Sequence, residues 1–252
     1  MRYDGDVGAR MTWIEHLEEL RQRLLWSLAG LVVATAISWT FSDWFLRVLL
    51  QPAGGIQLHA ISMLEPFLAR FRVAVTGGLV LSMPWIVYQI FRFVDPALEP
   101  HERRVLVPVS LAAGVLFAGG VTFGYFFLLP PSARWLLAQA GDVIRPQITA
   151  LNYLSFVTWF LVATGLGFET PLLVVAACAL GIVTPQRLQR EWRTALLVIL
   201  VVSAAVTPDW SPVTMFLLAI PMIVLYEGAV LTSFLVVRRK RQKAQDAALE
   251  VP

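Results

Sequence analysis

Cysteine is almost missing from this chain of 252 residues, and histidine and charge are scarce. The lone Cys178 excludes an intramolecular disulfide and any cysteine-built metal cluster; inside an apolar run it reads as a small buried residue rather than a reactive thiol. The only histidines are His16, His59 and His101, and all lie outside the long apolar runs. That excludes a Ser–His dyad or an HExxH zinc site at membrane depth. No Asp falls inside such a run either, so a two-aspartate intramembrane protease fails. There is no phosphate-binding glycine loop of the GxxxxGKS/T type, which argues against ATP hydrolysis by the chain itself. No enzyme, cofactor or metal centre is expected.

What the chain has in abundance is apolar surface: 58% hydrophobic residues and a mean hydropathy of +0.69, outside the usual range for a soluble domain. Uncharged runs long enough to cross hydrocarbon, which takes about 20 helical residues, occur at Leu24–Phe41, Val73–Phe91 and Val105–Leu129. Tyr153–Leu180 is a fourth, and Thr194–Val206 and Pro212–Val237 are weaker candidates. With the N-terminus inside, fifteen of the twenty Lys and Arg fall on the cytosolic side, the positive-inside pattern. Trp39, Trp44, Trp135, Trp192 and Trp210 lie near the span ends, as an aromatic belt requires. The net charge of +3 follows from this loop asymmetry and the basic tail, so it gives no nucleic-acid signal. No cleavable signal peptide is visible, because charges continue from Arg2 to Arg23 before the first apolar run.

The pattern predicts an all-α integral membrane protein of six transmembrane helices with both ends cytosolic. The fifth run is only 13 residues, and the sixth holds Glu227 and Pro221, so a concave bundle with short fifth and sixth helices is expected. Residues 1–23 form a cytosolic segment with a juxtamembrane helix, 24–237 the membrane domain, and 238–252 a basic tail expected to be disordered. Pro52-Ala53-Gly54-Gly55 and Pro130-Pro131 mark two outer loops, and Glu65-Pro66-Phe67 turns the chain back toward the second span.

Three polar constellations stand out. In Thr12–Arg23, Thr12 and Glu15 fit a capping box, and Glu15, Glu19 and Arg23 follow at every fourth residue. Paired charges on an interfacial helix account for most of it, yet three carboxylates where the positive-inside rule places cations suit a cationic partner. Phe91–Arg104 is a Pro-stiffened connection with Asp95, Glu99 and Glu102 ahead of Arg103 and Arg104, and acids there also complement a helix N-terminus. Together the two carboxylate groups suit the planar fork of arginine. The third is Glu169 beside Pro171, the only charged residue between Ile148 and Gln186, with Gln89, Thr158 and Thr164 as further polar groups in the spans. An intramembrane carboxylate costs about 2.5–3.5 kcal/mol on insertion scales, which favours a role as docking point or proton-sensitive group over mere helix glue.

The chain resembles the TatC family, the multi-spanning core subunit of the twin-arginine protein translocase, along nearly its whole length. The resemblance rests on His16-Leu17-Glu18-Glu19-Leu20-Arg21-Gln22-Arg23, on Phe93-Val94-Asp95-Pro96-Ala97-Leu98 with Glu102-Arg103-Arg104, on Phe168-Glu169 with Pro171, on Val206-Thr207-Pro208-Asp209, and on Ala219-Ile220-Pro221 leading to Glu227. It implies a receptor in the cytoplasmic (inner) membrane for signal peptides with two adjacent arginines, exporting folded proteins on the proton-motive force. It further implies that Glu19 and Glu102 belong to the recognition surface, supported by Arg21, Phe93, Pro96, Leu98 and Arg103. Glu169 is implied to face a membrane pocket for small single-span partner subunits, with Glu227 and Gln89 in the same polar set. Pro52, Pro66, Phe67 and Asp209 are the outer-loop positions it marks, and membrane lipid and self-association complete the expected contacts. Glu99 and Pro100 make this connection more acidic and stiffer than in many relatives. The rival reading is a proton- or cation-coupled secondary transporter built around Glu169.

Overall fold

The structure, a computed structural model, describes residues 13–53, 58–94, 106–141, 147–209 and 211–249. Within them regular structure is helical, apart from one isolated β-bridge between His59 and Thr149. The helices are α1 (Trp13–Thr40), α2 (Ser42–Leu50), α3 (Glu65–Val94), α4 (Leu106–Phe123), α5 (Leu129–Ala138), α6 (Ala150–Phe168), α7 (Thr170–Ala179), α8 (Pro185–Arg190), α9 (Trp192–Val206) and α10 (Pro212–Leu249). A 3₁₀ turn, Gln51–Ala53, follows α2, and a π turn, Gly124–Leu128, links α4 to α5. Five helical stretches are long and apolar enough to cross a membrane; α9, at 15 residues, is a shorter apolar helix.

Helix α6 is the centre of the bundle. Leu154, Val157, Phe160 and Leu161 are buried along it, with Leu218 and Ala219 of α10 in the same cluster, while Phe117 of α4 forms a second cluster with Met83, Val87 and Ala113. In a bilayer apolar side chains gain little from leaving lipid, so helices associate where small residues let backbones come close. That is how α1 meets α3: Gly30 faces the Trp85 ring and Gly78 faces the backbone of Thr35. Trp85 Nε1 also donates to the Trp26 carbonyl, 2.9 Å away. Among the described residues the remaining face of α1 is open; Ile14, Leu17, Leu24 and Leu28, predicted to share a face, are all exposed.

At the end of the bundle that carries α2, the chain is tied by polar contacts, some buried and some at the surface. Tyr125 and Tyr153 donate their hydroxyls to the Val48 and Leu49 carbonyls, at 2.8 and 3.2 Å. His59 bonds through its backbone to Ile148 and Ala150, and Arg70 pairs with Asp43.

Several sequence expectations change. Pro130-Pro131 does not open a loop: both residues sit in the first turn of α5, where a missing N–H costs nothing, and the chain stays helical to Ala138. The second span starts at Glu65 rather than Val73, because polar Arg70 and Arg72 occupy the early turns of a continuous helix. The sixth helix is not short: α10 has 38 residues, about 57 Å at 1.5 Å per residue. Glu227 is exposed on it and does not interrupt it, and Pro221 is accommodated inside it. The tail after Val237, expected to be disordered, continues this helix to Leu249; its Lys, Arg, Gln and Ala are good helix formers. Thr12 of the proposed capping box lies outside the described residues.

Candidate functional site

Helices α1 and α3 run antiparallel, which brings the start of one beside the end of the other. His16 stacks on Phe93 with ring centroids 4.4 Å apart. Two turns further along α1, Arg23 Nη2 lies 3.2 Å from Glu19 Oε1, while its Nη1 donates to Gln89 Oε1 at 3.5 Å. His16, Glu19 and Arg23 share a face of α1 at spacings of three and four, and Gln89 and Phe93 share a face of α3. The Glu19 and Arg23 side chains are only 15% and 24% exposed. Even so, Glu19 Oε2 and Arg23 Nε are buried without a hydrogen-bond partner among the described residues. A carboxylate left half-satisfied in partial burial carries a standing cost, and a donor arriving from outside would relieve it.

Arg21 turns the other way and pairs with Glu18 at 3.3 Å on the exposed surface, where such pairs contribute little. Pro96, Leu98, Glu102 and Arg103, with the rest of that acidic connection, lie outside the described residues.

Glu169 occupies the joint between α6 and α7. Pro171 removes a backbone donor and forces the break, and the Glu169 backbone bridges it: its N–H donates to the Leu166 carbonyl and its carbonyl accepts from Leu173 N. The residue is 5% exposed, and Oε1 has no hydrogen-bond partner among the described residues. It is the twentieth of the thirty residues from Ala150 to Ala179, past the middle of that span. The polar groups expected beside it are engaged elsewhere. Gln89 belongs to the Glu19–Arg23 cluster, and Thr158 and Thr164 bond back to the Leu154 and Phe160 carbonyls of their own helix. Sequence spacing ranks residues along a helix but does not give its register against a neighbour.

The other marked positions serve the α2 end. Pro52 lies in the 3₁₀ turn, and exposed Phe67 packs near Trp39 and Phe71 just after Pro66. Asp209 accepts the Thr214 hydroxyl at 2.6 and 2.7 Å, and Ser211 Oγ accepts from Thr214 N at 3.1 Å, so both fix the start of α10. Glu65, read from sequence only as part of a turn, proves to be a strut. It is 6% exposed, and its two oxygens accept from Ile61 N at 2.9 Å and Leu151 N at 3.1 Å. The signal that could have exposed this role is a carboxylate at the first position of a membrane helix, facing two unpaired segments.

An open groove between α3 and α6 is lined by Phe71, Arg72, Leu79, Thr158, Trp159 and Val162 among others; Glu169 is not part of its wall.

Taken together, the apolar helical stretches long enough to cross a membrane, the charged cluster at one helix end and the buried Glu169 within a span define a multi-pass membrane protein. Residues 15–221 match the family model described as Sec-independent protein translocase protein (TatC). The chain is 34% identical to the Sec-independent protein translocase protein TatC of Carboxydothermus hydrogenoformans, over 87% of this chain and 91% of that protein. It is 37% identical to that of Deinococcus radiodurans, over 87% and 84% respectively. Among solved structures, the crystal structure of "Twin Arginine Translocase Receptor- TatC" superimposes with a TM-score of 0.76 at 30% identity, covering 88% of this chain and all of that one. The chain belongs to the TatC family.

Proposed function

We propose that this chain is the signal-peptide receptor and core subunit of a twin-arginine translocase in the cytoplasmic membrane, driven by the proton-motive force. It would cross the bilayer six times with both termini cytosolic, α9 being the short fifth span. This orientation puts the Glu19–Arg23–Gln89 cluster and the Phe93 stack at the cytosolic surface. Glu19, together with Glu102 nine residues along the chain from Phe93, would grip the two guanidinium groups of an incoming signal peptide. Arg21, Pro96, Leu98 and Arg103 would shape that surface.

The observation that carries this reading is Glu19: a partly buried carboxylate with one oxygen unpaired among the described residues, at a helix end where the positive-inside rule favours cations. The buried, partly unsatisfied Glu169, with Glu227 exposed on α10, would be where small single-span partner subunits dock. A charge-assisted pair contributes about 1.5–3 kcal/mol, so removing either carboxylate should weaken binding about 10- to 100-fold. The test is crosslinking of a twin-arginine signal peptide to the full chain and to Glu19→Gln and Glu102→Gln variants. Unchanged capture by both variants ends the proposal.

A further inference from the structure

Glu19 already carries a guanidinium. Arg23 holds Oε1 from one turn away while its other terminal nitrogen reaches Gln89 on the neighbouring helix. Building on the receptor reading above, we propose that Arg23 is a resident competitor at this site. It occupies Glu19 in the empty receptor, an incoming arginine displaces it, and Gln89 retains the displaced guanidinium. Arg23 thereby sets the affinity that a targeting sequence must exceed.

The geometry of the pair supports this. Arginine and carboxylate interact best through two parallel N–H···O bonds, yet here only one oxygen of Glu19 is engaged. The unused atoms, Glu19 Oε2 and Arg23 Nε, are both buried without partners among the described residues. Because Arg23 departs from the same helix as Glu19, its planar fork is not presented to both oxygens. An arginine arriving from outside is free of that restraint and can take both. The exchange therefore replaces a single-bond contact with a two-bond one.

Gln89 makes the exchange inexpensive. Its bond to Arg23, at 3.5 Å, is at the outer limit of hydrogen bonding, so it is slack in the resting pair. Once released from Glu19, the guanidinium can shorten it. Without Gln89, a displaced Arg23 would be left partly buried with no acceptor, which is costly. The alternative is that Arg23 is a staple neutralising Glu19 and joining α1 to α3. The two readings predict opposite signs.

The test is titration of a fluorescent twin-arginine signal peptide against the purified full chain, with thermal unfolding recorded for every variant. Under the proposal Arg23→Gln tightens binding by about fivefold, since a competitor is gone. Gln89→Leu, which changes no charge, weakens binding by a similar factor, and that loss disappears when Arg23→Gln is also present. Arg23→Lys, which keeps the charge but cannot span both acceptors, tightens binding to a smaller degree and carries the test if Arg23→Gln fails to fold. Unchanged or weaker binding by the Arg23 variants overturns the proposal. So does an equal loss from Gln89→Leu in both backgrounds, which would mean that Gln89 touches the peptide directly. Glu19→Gln separates the two failures. If it abolishes binding while the Arg23 variants do not tighten it, only the competitor is lost. If it leaves binding intact, the receptor site itself is misplaced.

Discussion

His16 and Phe93 stack with their ring planes 24° from parallel, pinning the start of α1 to the end of α3. Phe93 is also the last residue with a described side chain before the acidic connection that carries Glu102. The stack therefore fixes the distance from which that connection sets out, relative to Glu19. An aromatic pair contributes about 0.5–1.5 kcal/mol beyond its buried area. Phe93→Ala is expected to weaken capture of a twin-arginine peptide about three- to tenfold, and Phe93→Tyr to leave it near the parent value. Peptide titration against both variants checks this, and equal losses would show that the ring's chemistry, not its stacking, is what matters.

Glu65 bridges two chain segments with two separate oxygens, one to Ile61 N and one to Leu151 N. Glutamine has a single side-chain acceptor oxygen, so Glu65→Gln can hold only one of them. The abandoned N–H lies in a part-buried setting, so the loss is about 1 kcal/mol, the low end of the range for an unsatisfied group. The expected outcome is a lower unfolding temperature in detergent and faster hydrogen exchange at either Ile61 or Leu151, with peptide binding at the far end unchanged. Exchange rates identical to the parent at both amides would contradict the strut.

Periodicity and hydropathy made the helical class, the apolar spans and the Glu19–Arg23 pair legible, because each depends on residues close together in sequence. The i,i+4 rule alone places Glu19 beside Arg23. Gln89 was legible only as a polar residue in a span; its partner depends on how α3 slides against α1, and the small residues Gly30 and Gly78 set that register. The same limit hid the Tyr125 and Tyr153 hydroxyls, whose acceptors lie 77 and 104 residues away. Proline misled in one place for a different reason. Pro130-Pro131 looks like a stop, but the same two residues are ideal for a first helical turn. In the tail, polarity suggested disorder while helix propensity carried α10 onward.

Glu169 has one buried oxygen without a partner at a break between two helices. As a docking point it should tolerate removal better than a structural hydrogen bond would. Glu169→Gln is expected to leave the unfolding temperature close to the parent value, because glutamine keeps the volume and Oε1 makes no hydrogen bond among the described residues to lose. Co-purification of single-span partner subunits should fall clearly, while signal-peptide titration stays unchanged. Full partner recovery with Glu169→Gln, alongside a lower unfolding temperature, would assign the residue to the fold instead.

Gly78 of α3 lies against the backbone of α1: a Cβ there would sit 2.7 Å from both the backbone N and Cα of Thr35. Backbone cannot swing aside as a side chain can, so Gly78→Ala must push the two helices apart. Overpacking of this kind costs about 1–3 kcal/mol. Gly119 on α4 is the matched control, since a Cβ there would meet nothing within 4 Å. Gly119→Ala should be neutral or slightly stabilising, alanine being the better helix former. The displacement at Gly78 acts on the same helix pair that aligns Arg23 with Gln89 and His16 with Phe93. Gly78→Ala should therefore lower the unfolding temperature and weaken twin-arginine peptide binding together, although it lies three turns from the cluster. Weakened stability with unaltered peptide binding would show that the cluster keeps its geometry independently of the α1–α3 spacing.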